Sequence, residues 1–290
     1  MSKLIAFGWY GGKFSHLDWL LPLLPKTKHF CEPFAGSAAV LINREPSPIE
    51  TYNDLDGEVV NFFRVLRDKK EALSEAIGLT PFSREEFEKA ISEPTEALSD
   101  LERARRFYIR ARQVRTGLAQ RASSGRWAHC RLTSRAGMAG AVSRWLGSVE
   151  ALPEIAQRLL RIQIEHDTAI NVIRRYDSGE TLFYCDPPYP HDSRGDSNAY
   201  KYEMTDDGHR ELALVLHNVQ GKVALSSYRC DLMEKLYGDW QAIEGPTKLV
   251  HSVKQPRTEI LWVNYEISDL QKHKSGSKIE EWQALQKSLI

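Results

Sequence analysis

The sequence predicts an α/β fold, a sheet flanked by helices, with a helical domain inserted into the sheet-forming part of the chain. Short apolar runs alternate with helical patterns toward both ends, as in a sheet covered by helices. Between them a segment of roughly 110 residues, Gly57 to Arg161, reads almost wholly as helix and loop. The 290 residues are 42% hydrophobic and 27% charged, values of an ordinary globular chain that exclude a disordered or fibrous one.

Two strands are expected before the insertion, Lys28 to Glu32 and Ile49 to Asn53. Four are expected after it: Ile162 to His166, Thr181 to Cys185, Lys222 to Ser227 and Glu259 to Tyr265. A helix over Asp207 to Val219 follows from Leu212, Val215, Leu216 and Val219 falling on one face. The domains are therefore expected at 1–56 together with 162–267, with 57–161 inserted and 268–290 a polar tail. No apolar run is long enough to span a membrane, and the first residues lack a secretory pattern. Cys31, Cys130, Cys185 and Cys230 are widely spaced without ligand partners, so they are expected as reduced thiols in a cytoplasmic protein, with no zinc and no disulfide framework.

A formal net charge of zero conceals a partition. From Arg103 to Val149 there are eleven arginines and no lysine, aspartate or glutamate. A solvated face ordinarily mixes charges of both signs, whereas fork-shaped guanidiniums alone suit phosphates and base edges. The insertion is therefore expected to bind nucleic acid, with Arg112, Arg115, Gln120, Arg126, Trp127, Arg131 and Arg135 as candidate contacts.

The most specific local pattern is Thr181-Leu-Phe-Tyr-Cys-Asp186-Pro187-Pro188-Tyr189, an apolar strand that ends in a carboxylate, two prolines and an aromatic ring. Prolines cannot continue the ladder, so the chain leaves the sheet at its carboxyl edge, where open α/β sheets bind ligands. The Asp186 carboxylate and the Pro187 carbonyl make two fixed acceptors for the exocyclic amino group of a planar heterocycle, on which Tyr189 would stack. Glu32-Pro33-Phe34-Ala35-Gly36-Ser37 is a second strand end, with small residues that let backbone approach a ligand at a helix start. It lacks the spacing of a dinucleotide fingerprint and no Walker lysine follows. Asn53-Asp54-Leu55-Asp56 closes the next strand with carboxylates, and an acidic residue at that place suits ribose hydroxyls, while Asp167 suits an adenine amino group.

Taken in order, Trp9-Tyr10-Gly11-Gly12-Lys13, Glu32-Pro33-Phe34-Ala35-Gly36, Asn53-Asp54 and Asp186-Pro187-Pro188-Tyr189 resemble the Dam-like D12 class of DNA adenine N6-methyltransferases, alpha arrangement. The resemblance covers roughly Phe7 to Tyr265. It implies a Rossmann-like catalytic domain interrupted by a helical target-recognition domain, and transfer of a methyl group from S-adenosylmethionine to adenine N6 in double-stranded DNA. It further implies that Trp9, Tyr10, Lys13, Phe34, Gly36, Asp54, Asp167 and Asp186 hold the cofactor, with Lys13 near its carboxylate, and that Asp186, Pro187, Pro188 and Tyr189 receive a flipped base. A cognate restriction endonuclease acting on the same site is admitted as a partner. Later segments, Ser226-Ser227-Tyr228 and Arg257-Thr258-Glu259, also resemble the family without a defined role, and Trp262 and Tyr265 read as core. His209 reads as a helix-face residue.

This chain departs from the family at Ala38, where many members have glycine, which bears on loop geometry. It also has Thr116-Gly117-Leu118 and Gly125-Arg126-Trp127 in place of the signatures of GATC-reading relatives, so that specificity does not carry over. Other amino-methyltransferases, acting on cytosine N4, RNA or protein, share the Asp-Pro-Pro-Tyr run, and a catalytically silent DNA-binding module is the remaining alternative. Cys185 precedes the carboxylate on its strand and lacks a Pro-Cys context, which disfavours it as a nucleophile for cytosine C5.

Overall fold

The computed structural model describes residues 3–92, 97–115, 122–193, 202–250, 255–268 and 275–276. The chain divides into two compact units, Met1–Gly12 with Asp56–His166, and Lys13–Leu55 with Asp167–Ile290. The strands in chain order are β1 (His29–Glu32), β2 (Ile49–Asn53), β3 (Ser134–Arg135), β4 (Met138–Ala139), β5 (Gln163–Glu165), β6 (Thr181–Cys185), β7 (Lys222–Tyr228), β8 (Gln241–Val250) and β9 (Gln255–Val263). Among the described residues no helix is long and apolar enough to cross a membrane.

In the unit built from Lys13–Leu55 and Asp167–Ile290, the sheet runs β2-β1-β6-β7-β9-β8. β2, β1, β6 and β7 are parallel, and β9 and β8 close that edge antiparallel. Every residue of β1 and β6 is buried, as expected of central parallel strands covered on both faces. Helices Ala169–Tyr176, Asp206–His217 and Asp231–Tyr237 contribute Val172, Ile173, Leu212, Leu216, Met233 and Tyr237 to a core shared with Phe183, Leu225 and Trp262. Thr168 and Thr205 cap the first two of these helices, accepting from the Asn171 and Gly208 amides. His209 is buried on the second helix. Trp262 lies in the core, and Tyr265 sits beyond β9 with its hydroxyl donating to the Leu23 carbonyl.

β8 was not anticipated. Gly245-Pro246 interrupts its alternation, and the register shifts there between Glu244 and Thr247. The glycine is required by packing: a Cβ at Gly245 would lie 2.8 Å from Trp19 Cζ2.

The other unit is mainly helical. Its helices include Gly57–Asp68, Lys70–Gly78, Arg84–Ser92, Asp100–Gln113, Gly140–Glu150 and Leu152–Leu159. Asp56 caps the first, accepting from the Glu58 amide, and Ser99 caps the fourth, accepting from the Glu102 amide. The core is aromatic: Phe62 stacks on Tyr108 at 5.4 Å, and Phe7 meets Phe62 and Phe107 edge-on. Phe7 explains why residues 3–12 group with the helices, although the sequence assigned them to the sheet-bearing domain. β3 and β4 form a small hairpin, all of whose residues from Arg131 to Ala139 are exposed.

Candidate active site

Parallel pairing brings the carboxyl ends of β1, β2 and β6 together. The register sets Cys31 opposite Phe183 and Glu32 opposite Tyr52, so the chain segments after these strands emerge on one edge. Asn53 ties that edge: its amide nitrogen donates to the carbonyls of Pro33 and Asp167, and its side-chain oxygen accepts from the Asp167 amide. Glu32 accepts from the Leu41 amide at 3.0 Å, fixing the short helix Ala39–Asn43 behind the turn. Burial pushes the Glu32 carboxyl well above the usual carboxylate range.

The turn between β1 and that helix carries two left-handed residues, Gly36 at φ 49° and Ala38 at φ 56°. Ala38 thus adopts the conformation that suits the glycine of many family members. The Gly36 amide donates to Asp54 Oδ2 at 2.8 Å, and the Tyr52 hydroxyl donates to the Gly36 carbonyl. This orients a carboxylate beside a close-approach backbone turn, a donor and acceptor set that fits the ribose and amino-acid parts of a nucleoside sulfonium. Phe34, half-buried, packs against the core at the same turn.

Asp186 follows β6 and is paired with Lys13, whose ammonium donates to both carboxylate oxygens at 2.7 Å. Glu259, on β9, lies 3.4 Å from the same ammonium and accepts from the Tyr189 hydroxyl. The side chains of Lys13 and Glu259 are only 4% and 3% exposed. Burial alone would lower the Lys13 ammonium, but the charges of Asp186 and Glu259 outweigh it and hold Lys13 above its ordinary value. Burial raises the carboxyls of Asp186 and Glu259 despite the opposing ammonium.

Two of the expected site residues are engaged within the protein itself. Lys13 engages Asp186 and Glu259, because two buried carboxylates require a cation, whereas the family pattern put it near the cofactor carboxylate. Tyr189, expected to offer an open ring face, is 5% exposed, packed edge-on against Tyr228 at 4.9 Å and lying beneath Lys13 at 5.1 Å. Pro187 is buried and Pro188 half-buried between them. Asp167 has both oxygens engaged, Oδ1 by Thr168 and Asn171 and Oδ2 by Arg175, which hold its carboxyl below the usual range. Cys185 is buried and its thiol is pushed far up, first by burial and then by the Asp186 charge, a poor setting for a nucleophile. Among the described residues no cluster of three or more His, Cys, Asp or Glu could hold a metal ion.

Glu259 carried no role in the sequence; the available signal was a carboxylate directly before the apolar run Ile260 to Val263, and in the fold it stands opposite Tyr228 on β7.

In the helical unit Trp9 packs on Phe7 and Phe107, and Tyr10 is half-buried. The arginine block separates into two groups. Arg103 and Arg110 bind Glu58, Arg105 binds Glu86 and Glu102, and Arg106 binds Glu102, so carboxylates outside the block neutralise these four. Arg115, Arg126, Arg131 and Arg135 are exposed. Arg112 is half-buried and reaches the Arg144 carbonyl at 3.5 Å. Trp127 is held in packing, its indole donating to Gln113 Oε1, with Phe82 beside the ring and Arg84 over it. Gln120 lies outside the described residues.

Comparison with known families finds a match over residues 9–252 to the D12 class N6 adenine-specific DNA methyltransferase model. A 72-residue stretch is 35% identical to the type II methyltransferase M1.LlaDCHI of Lactococcus lactis subsp. cremoris, covering 24% of each chain. A 75-residue stretch is 32% identical to a DNA adenine methylase of Vibrio cholerae serotype O1, covering 25% of this chain and 26% of that protein. The chain spans about a quarter of the length of the curated relatives it matches.

Proposed function

Because this chain belongs to the D12 class of N6 adenine-specific DNA methyltransferases, we propose that it methylates adenine N6 in duplex DNA, using S-adenosylmethionine. The observation that supports this most strongly is the carboxyl edge of the sheet, where Asp186, Pro187, Pro188 and Tyr189 stand beside the Gly36 turn and Asp54. S-adenosylmethionine supplies a sulfonium methyl group, an electrophile already activated for transfer.

The lone pair of an adenine amino group is delocalised into the ring, so the nitrogen is a poor nucleophile until its hydrogens are held. Asp186 and the Pro187 carbonyl accept hydrogen bonds from those N–H groups, orient the lone pair and stabilise the positive charge that develops on nitrogen as its bond to the methyl forms and the methyl–sulfur bond breaks, after which nitrogen sheds one proton to solvent. A base inside a stacked duplex is out of reach, so it is flipped, and Tyr189 replaces part of its stacking. Asp54 binds the ribose hydroxyls, Phe34 and Gly36 line the adenosine and methionine parts, and Asp167 faces the adenine edge.

The helical unit acts as the target-recognition domain. The exposed Arg115, Arg126, Arg131 and Arg135 contact phosphates and base edges. A restriction endonuclease acting on the same site is a natural partner for such an enzyme.

The test is transfer of labelled methyl from S-adenosylmethionine to duplex DNA, RNA and peptide substrates in parallel, with Asp186→Ala as control. Label recovered as N6-methyladenine in DNA, and lost in the variant, supports the reading. Label confined to RNA or peptide overturns it.

A further inference from the structure

The segment Arg257-Thr258-Glu259 has no part in the chemistry above, yet Glu259 touches Tyr189, which does, and Lys13, which pairs with Asp186. As the site stands, both Asp186 oxygens accept from Lys13. An adenine amino group that takes one of these oxygens competes with Lys13 for it. The Lys13 side chain is only 4% exposed. Leaving a buried ammonium without a counter-charge is strongly unfavourable. One further carboxylate already lies within ion-pair distance of Nζ, that of Glu259, itself 3% exposed. Its Oε1, the atom nearest Lys13, also accepts the Tyr189 hydroxyl.

We propose that Glu259 is a positioning residue: it provides the second seat for the Lys13 ammonium when the target amino group takes Asp186, and it anchors the Tyr189 ring. The inference rests on the methyl-transfer reading and extends it to how the resting site opens. Because one oxygen serves both Lys13 and Tyr189, arrival of Lys13 at Glu259 loosens the tyrosine hydroxyl. Clearing Asp186 and uncovering the ring are thereby coupled.

Among the groups that face Lys13 are Asp186 and Tyr189 after β6, Glu259 on β9 and Tyr228 on β7, with Glu32 at the end of β1 contributing at longer range. A double-mutant cycle on the Lys13 titration isolates the second seat. Lysine side chains labelled at Cε are followed by NMR against pH in the full-length protein, with Lys13→Gln identifying the resonance. The variants are Asp186→Asn, Glu259→Gln and the double variant. In Asp186→Asn the ammonium stays charged, held by Glu259. In the double variant its pKa falls by at least about one further unit, because both close carboxylates that oppose burial are then gone. An identical titration in Asp186→Asn and in the double variant overturns the proposal.

Kinetics on bulk duplex DNA supply a second readout. Glu259→Gln lowers kcat about tenfold or more while KM for S-adenosylmethionine changes little, and Glu259→Asp recovers part of the loss. A loss of thermal stability with kcat unchanged would reduce Glu259 to a structural role. If the titration cycle behaves as described but the wild-type protein methylates no DNA, the second seat stands and the proposed substrate falls.

Discussion

Lys13 donates to both carboxylate oxygens of Asp186 at 2.7 Å, joining positions 173 residues apart at the edge of the sheet. This contact holds the first segment of the sheet-bearing unit against its central strand, and it carries charge as well as shape. Removing the cation by Lys13→Ala leaves Asp186 and Glu259 buried without it. Such a change is expected to cost about 3–5 kcal/mol at pH 8. The loss shrinks as pH falls, because both carboxyls then take up protons. Urea unfolding at pH 8 and pH 5 checks this, and an equal loss at both pH values would contradict it.

Glu32 gives a pH dependence of definite sign. Its folded carboxyl titrates well above the ordinary value of 4.5, first because of burial. The folded state therefore binds more protons than the unfolded state as pH rises from that value. Its contribution to stability is full below about 4.5 and is lost as pH climbs through the raised range. Glu32→Gln keeps an oxygen for the Leu41 amide and removes the titration. The variant is expected to be more stable than the wild type at pH 8, with the advantage vanishing near pH 4. Thermal melts across that range decide the matter, and parallel curves for the two proteins would refute the assignment.

The arginine block is expected to behave as two populations. Arg110→Ala strips Glu58 of a partner within the helical unit and should lower stability by about 1–3 kcal/mol. Arg131→Ala and Arg135→Ala, on the exposed hairpin, should leave melting unchanged and weaken DNA binding. Each phosphate contact removed reduces the slope of log K against log salt by about one. Binding titrations at several salt concentrations test this. A stability loss at Arg131 or Arg135 without a binding loss would reverse the assignment.

Gly245→Ala places a methyl group against the Trp19 ring, with its Cβ 2.8 Å from Cζ2. Overpacking of that kind costs about 1–3 kcal/mol. Trp19→Leu in the same background should recover part of the loss, as seen in chemical denaturation. A fully additive pair would show that the ring is not what excludes the side chain.

The sheet was legible in the sequence because its strands are short apolar runs with chemistry at their ends. Glu32, Asn53 and Asp186 each mark a point where an apolar run stops, and parallel pairing turns those three stops into one edge. The helix at Asp206–His217 was legible from its apolar face, within one or two residues of its observed ends. What stayed hidden depends on contacts between distant positions. β8 carries Gly245-Pro246, which breaks the alternation a strand should show, and only the packing of Trp19 explains the glycine. Phe7 joins the helical unit through an aromatic cluster that no local pattern reveals. The arginines looked uniform because the carboxylates that neutralise four of the five on the basic helix, Glu58, Glu86 and Glu102, lie outside the block. Lys13 and Glu259 are far apart in the chain, so a buried network joining them through Asp186 and Tyr189 becomes visible only in three dimensions.

The role proposed for Asp186, at the edge of β6, is to direct methyl transfer to adenine. Base-resolution modification mapping of DNA from cells expressing this protein, beside its Asp186→Ala variant, tests it most directly. N6-methyladenine is expected in one short sequence context with the wild-type protein and nowhere with the variant. Unmodified adenine in both, from a folded protein that still binds S-adenosylmethionine, would contradict it and move the substrate to another polymer.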